Sequence, residues 1–313
     1  MSTEEIVELE DETGTDKPGA INQVLPARKS VNTLLYSLDD KFRFNCHKGI
    51  SCFNKCCKSI NVQLTPYDIL RLKKHLDISS RDFISRYTLP VQMDAYGTPG
   101  LLLSHKPGTS ECIFVTEQGC SVYTDRPTAC RYYALGNVGV RKKAGSKTIN
   151  NYVVVVDNYC LGHNETKTQT IRQYLHEQGA AHYDQYNEDW LDIIRKRSNS
   201  TRIGKAGERS MQLFDMCSYD IDSFREYIQG SGFLNLFDID QNTMDALINN
   251  DEELLLFAMR FLKQILFGEK SIHLKQESVK EHTEVKPEIR IKKFNTKSTT
   301  HSSAQAVENS VDS

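Results

Sequence analysis

The chain has 313 residues with a formal net charge of -2, 39% hydrophobic and 26% charged residues. That balance excludes a global electrostatic field for nucleic acid or an acidic membrane and suits a globular protein with polar ends. The length allows one large domain or two modest ones, each with its own hydrophobic core.

The acidic start, MSTEEIVELEDETGTDK, has no apolar h-region and does not read as a secretory signal. The greasiest stretch, EELLLFAMRFLKQILFG, carries Arg260 and Lys263 and reads as a core helix rather than a membrane span. A cytoplasmic location is expected, and there thiols stay reduced. The chain has nine cysteines. In that compartment clustered cysteines are read as metal ligands or redox groups before disulfides.

In chain order, residues 1–30 are polar and acidic, and disorder is expected there. A cysteine-cluster domain is expected over 31–165. Within it, LTPYDILRLKKHL predicts a helix with Thr65 as cap and Pro66 in the first turn; Ile69, Leu70, Leu72 and Leu76 form its apolar stripe. SSRDFISRYTL predicts a second helix capped by Ser79 or Ser80. The basic run RKKAGSK (141–147) reads as a hairpin tip, and the β-branched NYVVVVDNYC as a strand that delivers Cys160.

A helical extension is expected over 166–268. ETKTQTIRQYLHEQGAAHYDQYNEDWLDIIRKR predicts one or two helices, with Arg195 to Arg197 at a helix C-terminus. TRIGKAGERS reads as a loop, and residues 211–268 as two or three helices, the last from about Asp251. Residues 269–313 read as a disordered tail. The fold class expected is mostly α, with a small irregular β-containing, cysteine-rich metal-binding core and a helical C-terminal part.

Eight cysteines lie between positions 46 and 160. CHKGISCFNKCC holds Cys46, Cys52, Cys56 and Cys57; ECIFVTEQGCSVYTDRPTACR holds Cys112, Cys120 and Cys130; Cys160 follows the predicted strand. Neighbouring side chains diverge on a strand or helix, so Cys56 and Cys57 more naturally serve two separate metals or two corners of a cluster. Two adjacent sites of four thiolates are therefore expected. Thiolates suit zinc and iron–sulfur clusters such as 4Fe–4S alike. Either centre with four thiolates carries about -2, and Lys48, Lys55, Lys58, Arg126 and Arg131 are interleaved to offset it.

The residues Cys46, Cys52, Cys56-Cys57, Leu64 to Asp68, Cys112, Gly119-Cys120, Tyr123, Arg126-Pro127 and Cys130-Arg131 together form a specific pattern. It resembles the YkgJ-type cysteine-cluster family, described as a zinc- or iron-chelating domain, over about residues 42–163. That family's first cluster is tighter, nearer C-x-x-C-x-x-C-C; here five residues separate Cys46 and Cys52. The resemblance implies metal binding, and certain relatives are flagellin lysine methylases thought to carry an iron–sulfur cluster. No residue pattern here assigns a reaction, a membrane, a nucleic acid or a particular protein partner.

Bland readings stand beside these. Cys217 reads as a buried structural thiol; His163, close enough to Cys160 to ligate, reads instead as a residue supporting the site or the loop, because eight cysteines already fill two sites; His75 reads as a surface residue. Arg126 and Arg131 read first as donors to sulfur and backbone. DIDQN (238–242) begins like a calcium loop, but Thr243 and Asn249 occupy the positions that need Gly and Glu.

Overall fold

The computed structural model describes residues 30–31, 34–140, 149–198 and 207–275. The chain opens with β1 (Ser30–Val31) and β2 (Lys41–Arg43). The first cysteine loop then closes on a 3-10 turn, Lys55–Lys58, entered through Asn54 in the left-handed region at φ 66°.

Next, β3 (Gln63–Leu64) runs into α1 (Pro66–Leu76). The sequence dictates this start. The Thr65 hydroxyl accepts from the Asp68 amide while the Asp68 carboxylate accepts from the Thr65 amide, a reciprocal cap with Pro66 in the first turn. Ile69, Leu70 and Leu72 are buried, as their spacing predicts. α2 (Ser80–Tyr87) is capped by Ser79. There follow β4 (Thr88–Gln92), β5 (Pro99–Leu103), β6 (Val115–Thr116), β7 (Gly119–Cys120) and the one-turn α3 (Thr128–Arg131).

The predicted strand is β9 (Ile149–Val156), paired antiparallel with β8 (Leu135–Val140). The basic run between them lies outside the described residues. β10 (Thr168–Thr170) precedes α4 (Ile171–Glu177) and α5 (Ala180–Ser198). Then come α6 (Glu208–Tyr219), α7 (Ile221–Gln229), α8 (Ser231–Leu236), α9 (Gln241–Asn249) and α10 (Asp251–Phe267). Most of the TRIGKAGERS loop lies outside the described residues, and its last three positions already belong to α6. Where two or three helices were expected over 211–268, five are present. Asp220, Gly230, Asp240 and Asn250 each break the run at a cap, and three of them accept from the following helix through their side chains. The false calcium-loop signal is one such cap: Asp240 accepts from the Thr243 amide at 2.9 Å.

The fold is mostly helical with small separate antiparallel sheets: β1-β9-β8, β10-β2, β3-β5-β4 and β6-β7. Apolar side chains gather in two clusters. The larger joins α1, α2, β3 and β5 to α5–α10, centred on Phe214, Phe224, Phe261, Leu254 and Leu262; Cys112, Cys120 and Cys130 pack on its edge. The smaller is built from Phe42, Phe44, Leu135, Tyr152, Val154, Ile171 and Tyr174, with Cys160 on its edge. Past α10, Ile272 is buried and Leu274 bridges to Phe237, so residues 269–275 lie back against the helices. Among the described residues no helix is long and apolar enough to cross a membrane.

Candidate metal centre

Each cysteine is delivered by a different local device. Cys46 follows β2 and is exposed, while Cys52 is buried, its sulfur 3.2 Å from the Leu161 amide. Cys56 and Cys57 occupy the 3-10 turn. Asn54 ties that turn to β6 by donating to the Thr116 carbonyl at 3.2 Å. The Cys112 amide donates to the Cys57 carbonyl at 2.7 Å, which joins the two cysteine segments directly. Cys120 ends the β6-β7 hairpin, whose reversal uses Gly119 at φ +124°, a conformation that L side chains rarely adopt. Cys130 sits in α3. Cys160 follows β9 through a turn closed by its own amide on the Asp157 carbonyl.

All nine cysteines are free thiols. The sulfurs of Cys56 and Cys57 lie 3.8 Å apart. The divergence expected of sequence neighbours does not separate them, because the tight turn rotates both side chains to one side. Zinc–sulfur bonds of about 2.3 Å place tetrahedral sulfurs about 3.8 Å apart, so this spacing also suits two corners of one tetrahedron.

The electrostatics show which thiols are near one another. Cys46 is exposed as a residue but its sulfur is partly shielded by its neighbours; that shielding pushes the thiol up to about 11, and Cys52, Cys160 and Cys57 add to the rise. Burial raises Cys160 too, with Cys52 contributing. On the other side, burial pushes Cys112 up to about 11, with Cys57 and Cys120 adding. Burial raises Cys130, helped by Cys112, Cys57, Cys120 and the carboxylate of Asp68. Cys120 is raised by burial and by Cys57, against a lowering pull from Arg126. Cys56 is raised by its hydrogen bond with Cys57, by burial, and by Cys57, Cys46 and Cys130. Cys57 is lowered by the same hydrogen bond. Six of the thiols, those of Cys46, Cys56, Cys57, Cys112, Cys120 and Cys130, line one cavity of about 220 Å3, together with Phe44, Phe53, Tyr133, Tyr174 and Arg126. Among the described residues, no three His, Cys, Asp or Glu side chains already form a group that could hold a metal ion.

The donor chemistry fits a soft metal. Neutral thiols are favoured where burial and mutual repulsion act alone, and a cation reverses both effects by ligating the thiolates. Of the interleaved basic residues, Arg126 acts on a thiol; Lys48, Lys55 and Lys58 are exposed, and Lys58 lies 3.6 Å from Glu111.

The two arginines act mainly on backbone. Buried Arg131 donates to the carbonyls of Arg126, Gln178 and Thr124 and to the Tyr183 hydroxyl, over whose ring it stacks at 4.0 Å. Arg126 donates to the Tyr123 carbonyl and to Gln178 Oε1, and lies 4.1 Å over the Tyr123 ring. His163 faces the carbonyls of Arg43 and Val155 and packs on Phe44. His75 is not merely a surface residue: its Nδ1 lies 2.8 Å from Asp125 Oδ2. Cys217 is fully buried in the larger core.

Sequence reasoning missed three supports. Asp68 reaches Thr128, sixty positions away. Asp125 links the loop before α3 to α1. Asp157 accepts from both Tyr133 and Tyr159 beside Cys160. Only Asp68 carried a signal, as the last residue of LTPYD, and nothing local named its partner.

Neither the comparison with curated proteins nor that with solved structures gives a match. Residues 45–175 match the family described as "CxxCxxCC: Putative zinc- or iron-chelating domain". The match spans all eight clustered cysteines, Cys46 through Cys160. Over residues 45–175 the chain is thus similar to this domain, the cysteine-cluster type that its spacing pattern resembles.

Proposed function

We propose that this chain is a cytoplasmic metal-binding protein that holds two thiolate centres side by side. One is formed by Cys46, Cys52, Cys56 and Cys160, the other by Cys57, Cys112, Cys120 and Cys130. The observation that carries this reading is geometric: the Cys112 amide donates to the Cys57 carbonyl, the Cys52 sulfur lies 3.2 Å from the Leu161 amide next to Cys160, and the Cys56 and Cys57 sulfurs stand 3.8 Å apart where the two sets meet. Cys112, Cys120 and Cys130 also lie on the edge of the larger apolar cluster and Cys160 on the edge of the smaller, so the centres would join the two. The role is structural if the metal is zinc, which has no redox chemistry, or electron transfer if it is an iron–sulfur cluster.

The test is elemental analysis and a visible spectrum after anaerobic purification. Two equivalents of zinc and no colour give the structural role. A brown protein with a broad band near roughly 400 nm gives the iron–sulfur role. A single metal equivalent places Cys56 and Cys57 on one ion, as their 3.8 Å spacing also permits, and defeats the two-centre reading. The cavity beside the thiols favours a second reading, an iron–sulfur oxidoreductase or a methyltransferase-like protein-modifying enzyme, because a substrate group could enter it. A centre with three protein ligands and an open position would support that reading.

A further inference from the structure

One stripe of α1 grips a single short segment. Asp68 is fully buried; its Oδ1 accepts from the amide and the hydroxyl of Thr128, both at 2.7 Å, while Oδ2 accepts from the Thr65 amide at 2.9 Å. Arg71 donates from Nε at 2.9 Å and Nη2 at 2.5 Å to Asp125 Oδ1. His75 meets the other oxygen of Asp125. Positions 68, 71 and 75 are spaced three and four apart, which puts them on one helical face. Both of their partners, Asp125 and Thr128, lie between Cys120 and Cys130. From α5, Asn187 closes the arrangement by accepting from the Tyr67 amide at 3.3 Å and donating to the Thr128 hydroxyl at 3.4 Å.

We propose that Asp68, Arg71 and His75 are a positioning clamp for the segment between Cys120 and Cys130, and that this clamp sets metal retention at the centre containing Cys57, Cys112, Cys120 and Cys130. The clamp residues do not ligate metal. The inference rests on the metal-binding reading above and adds to it.

The charge of Asp68 makes the test sharp. A buried carboxylate beside Cys130 repels a thiolate there, so on charge alone Asp68→Asn would tighten metal binding. Geometry acts in the opposite direction. An asparagine has a single acceptor oxygen for two sets of donors: turned toward Thr128 it sets its N–H against the Thr65 amide and loses the reciprocal half of the cap, and turned toward Thr65 it sets its N–H against the Thr128 amide and loses the grip on the segment. The sign of the change therefore separates positioning from electrostatics.

The experiment follows metal release from the full-length protein into excess chelator, for the wild type and for Asp68→Asn, Thr128→Val and Thr128→Ser. Supporting residues behind metal ligands are worth about 10–100-fold in affinity. The expected result is release of one centre accelerated about 10–100-fold in Asp68→Asn and Thr128→Val, with the second centre unchanged and Thr128→Ser close to wild type. Wild-type or slower release in a folded variant overturns the clamp. Equal acceleration of both centres, in step with a lowered melting temperature, overturns it as well, because that is what a general loss of stability gives. If Asp68→Asn does not fold, the near-isosteric Thr128→Val decides. A wild-type chain that takes up no metal overturns the metal-binding reading itself, and the clamp's role in retention with it.

Discussion

The helical region from α5 to α10 and the cysteine-bearing region before it are held together by different forces. In the helical region, aromatic side chains stack on one another: Phe224 touches Tyr227, Phe257 and Phe261, and Phe233 touches Phe237 and Phe261. Burial of each such ring is worth about 1.5–3 kcal/mol, so the core needs no further support. Around the cysteines the chain is less regular: β2, β3, β6, β7 and β10 have two or three residues each, joined by 3-10 turns, and Cys160 sits on the smaller apolar cluster. Two-stranded pieces of that size are marginal alone. To their apolar packing are added long-range polar staples: Arg131 on three carbonyls, Asp68 on Thr128, Asp157 on two tyrosine hydroxyls. Long-range polar staples fix positions well but contribute only about 0.5–1.5 kcal/mol each when neutral. The comparison teaches that the proposed metal cross-links would contribute most where regular structure is shortest.

The largest expected effect comes from metal removal. Structural zinc sites bind with about 10–16 kcal/mol, comparable to or above the whole stability of a domain. Chelation should therefore open amide exchange across residues 45–175 while far-ultraviolet circular dichroism of the helices persists. Loss of both in a single transition would mean that the two regions form one cooperative unit.

Next in size, Phe224→Ala should destabilise the helical region by about 3–5 kcal/mol, read by urea unfolding, with metal content unchanged. A fall in bound metal in this variant would break the comparison from the other side.

A smaller effect sharpens it through pH. Burial alone would raise the Asp222 carboxyl, but Lys73, the Ser80 amide and Arg225 together hold it well below the usual carboxylate range. A lowered folded-state pKa contributes stability that is present above the unfolded value of about 3.9 and is lost as pH falls through the folded one. Asp222→Asn should cost about 2 kcal/mol near neutral pH and flatten the loss of helical stability below about pH 4. An unchanged acid profile would remove Asp222 as its source.

Thr65→Ala should cost about 1 kcal/mol through the lost cap, seen as a lower melting temperature. The smallest expected change in metal content is for Cys217→Ala, whose thiol is sealed in the helical core. Elemental analysis should find wild-type stoichiometry, and any loss of metal would bring Cys217 into the ligand set.

Local rules made much of this legible before the fold was known. Thr65, Pro66 and Asp68 write the start of α1 within four residues, and Ser79 writes that of α2. The β-branched run gives β9. The helices after α6 were harder, because their boundaries are short polar caps inside a long apolar pattern. Leu191 is 42% exposed while Arg197 is buried on Thr98, a reversal that hydrophobicity alone does not anticipate.

For the candidate site, the sequence by itself determined the inventory: eight clustered thiols, a spacing pattern that marks the family, and basic residues among them. Only the tertiary structure decided which thiols are neighbours, that Cys56 and Cys57 face each other, and that Asp68 grips Thr128. The physical reason is range. Caps, turns and periodicity act over a few residues and are written where they act. A sulfur's neighbours and a carboxylate's partner are chosen by how α1, α3, β7 and β9 pack, across separations of sixty to more than a hundred positions, and no short stretch of chain records that choice.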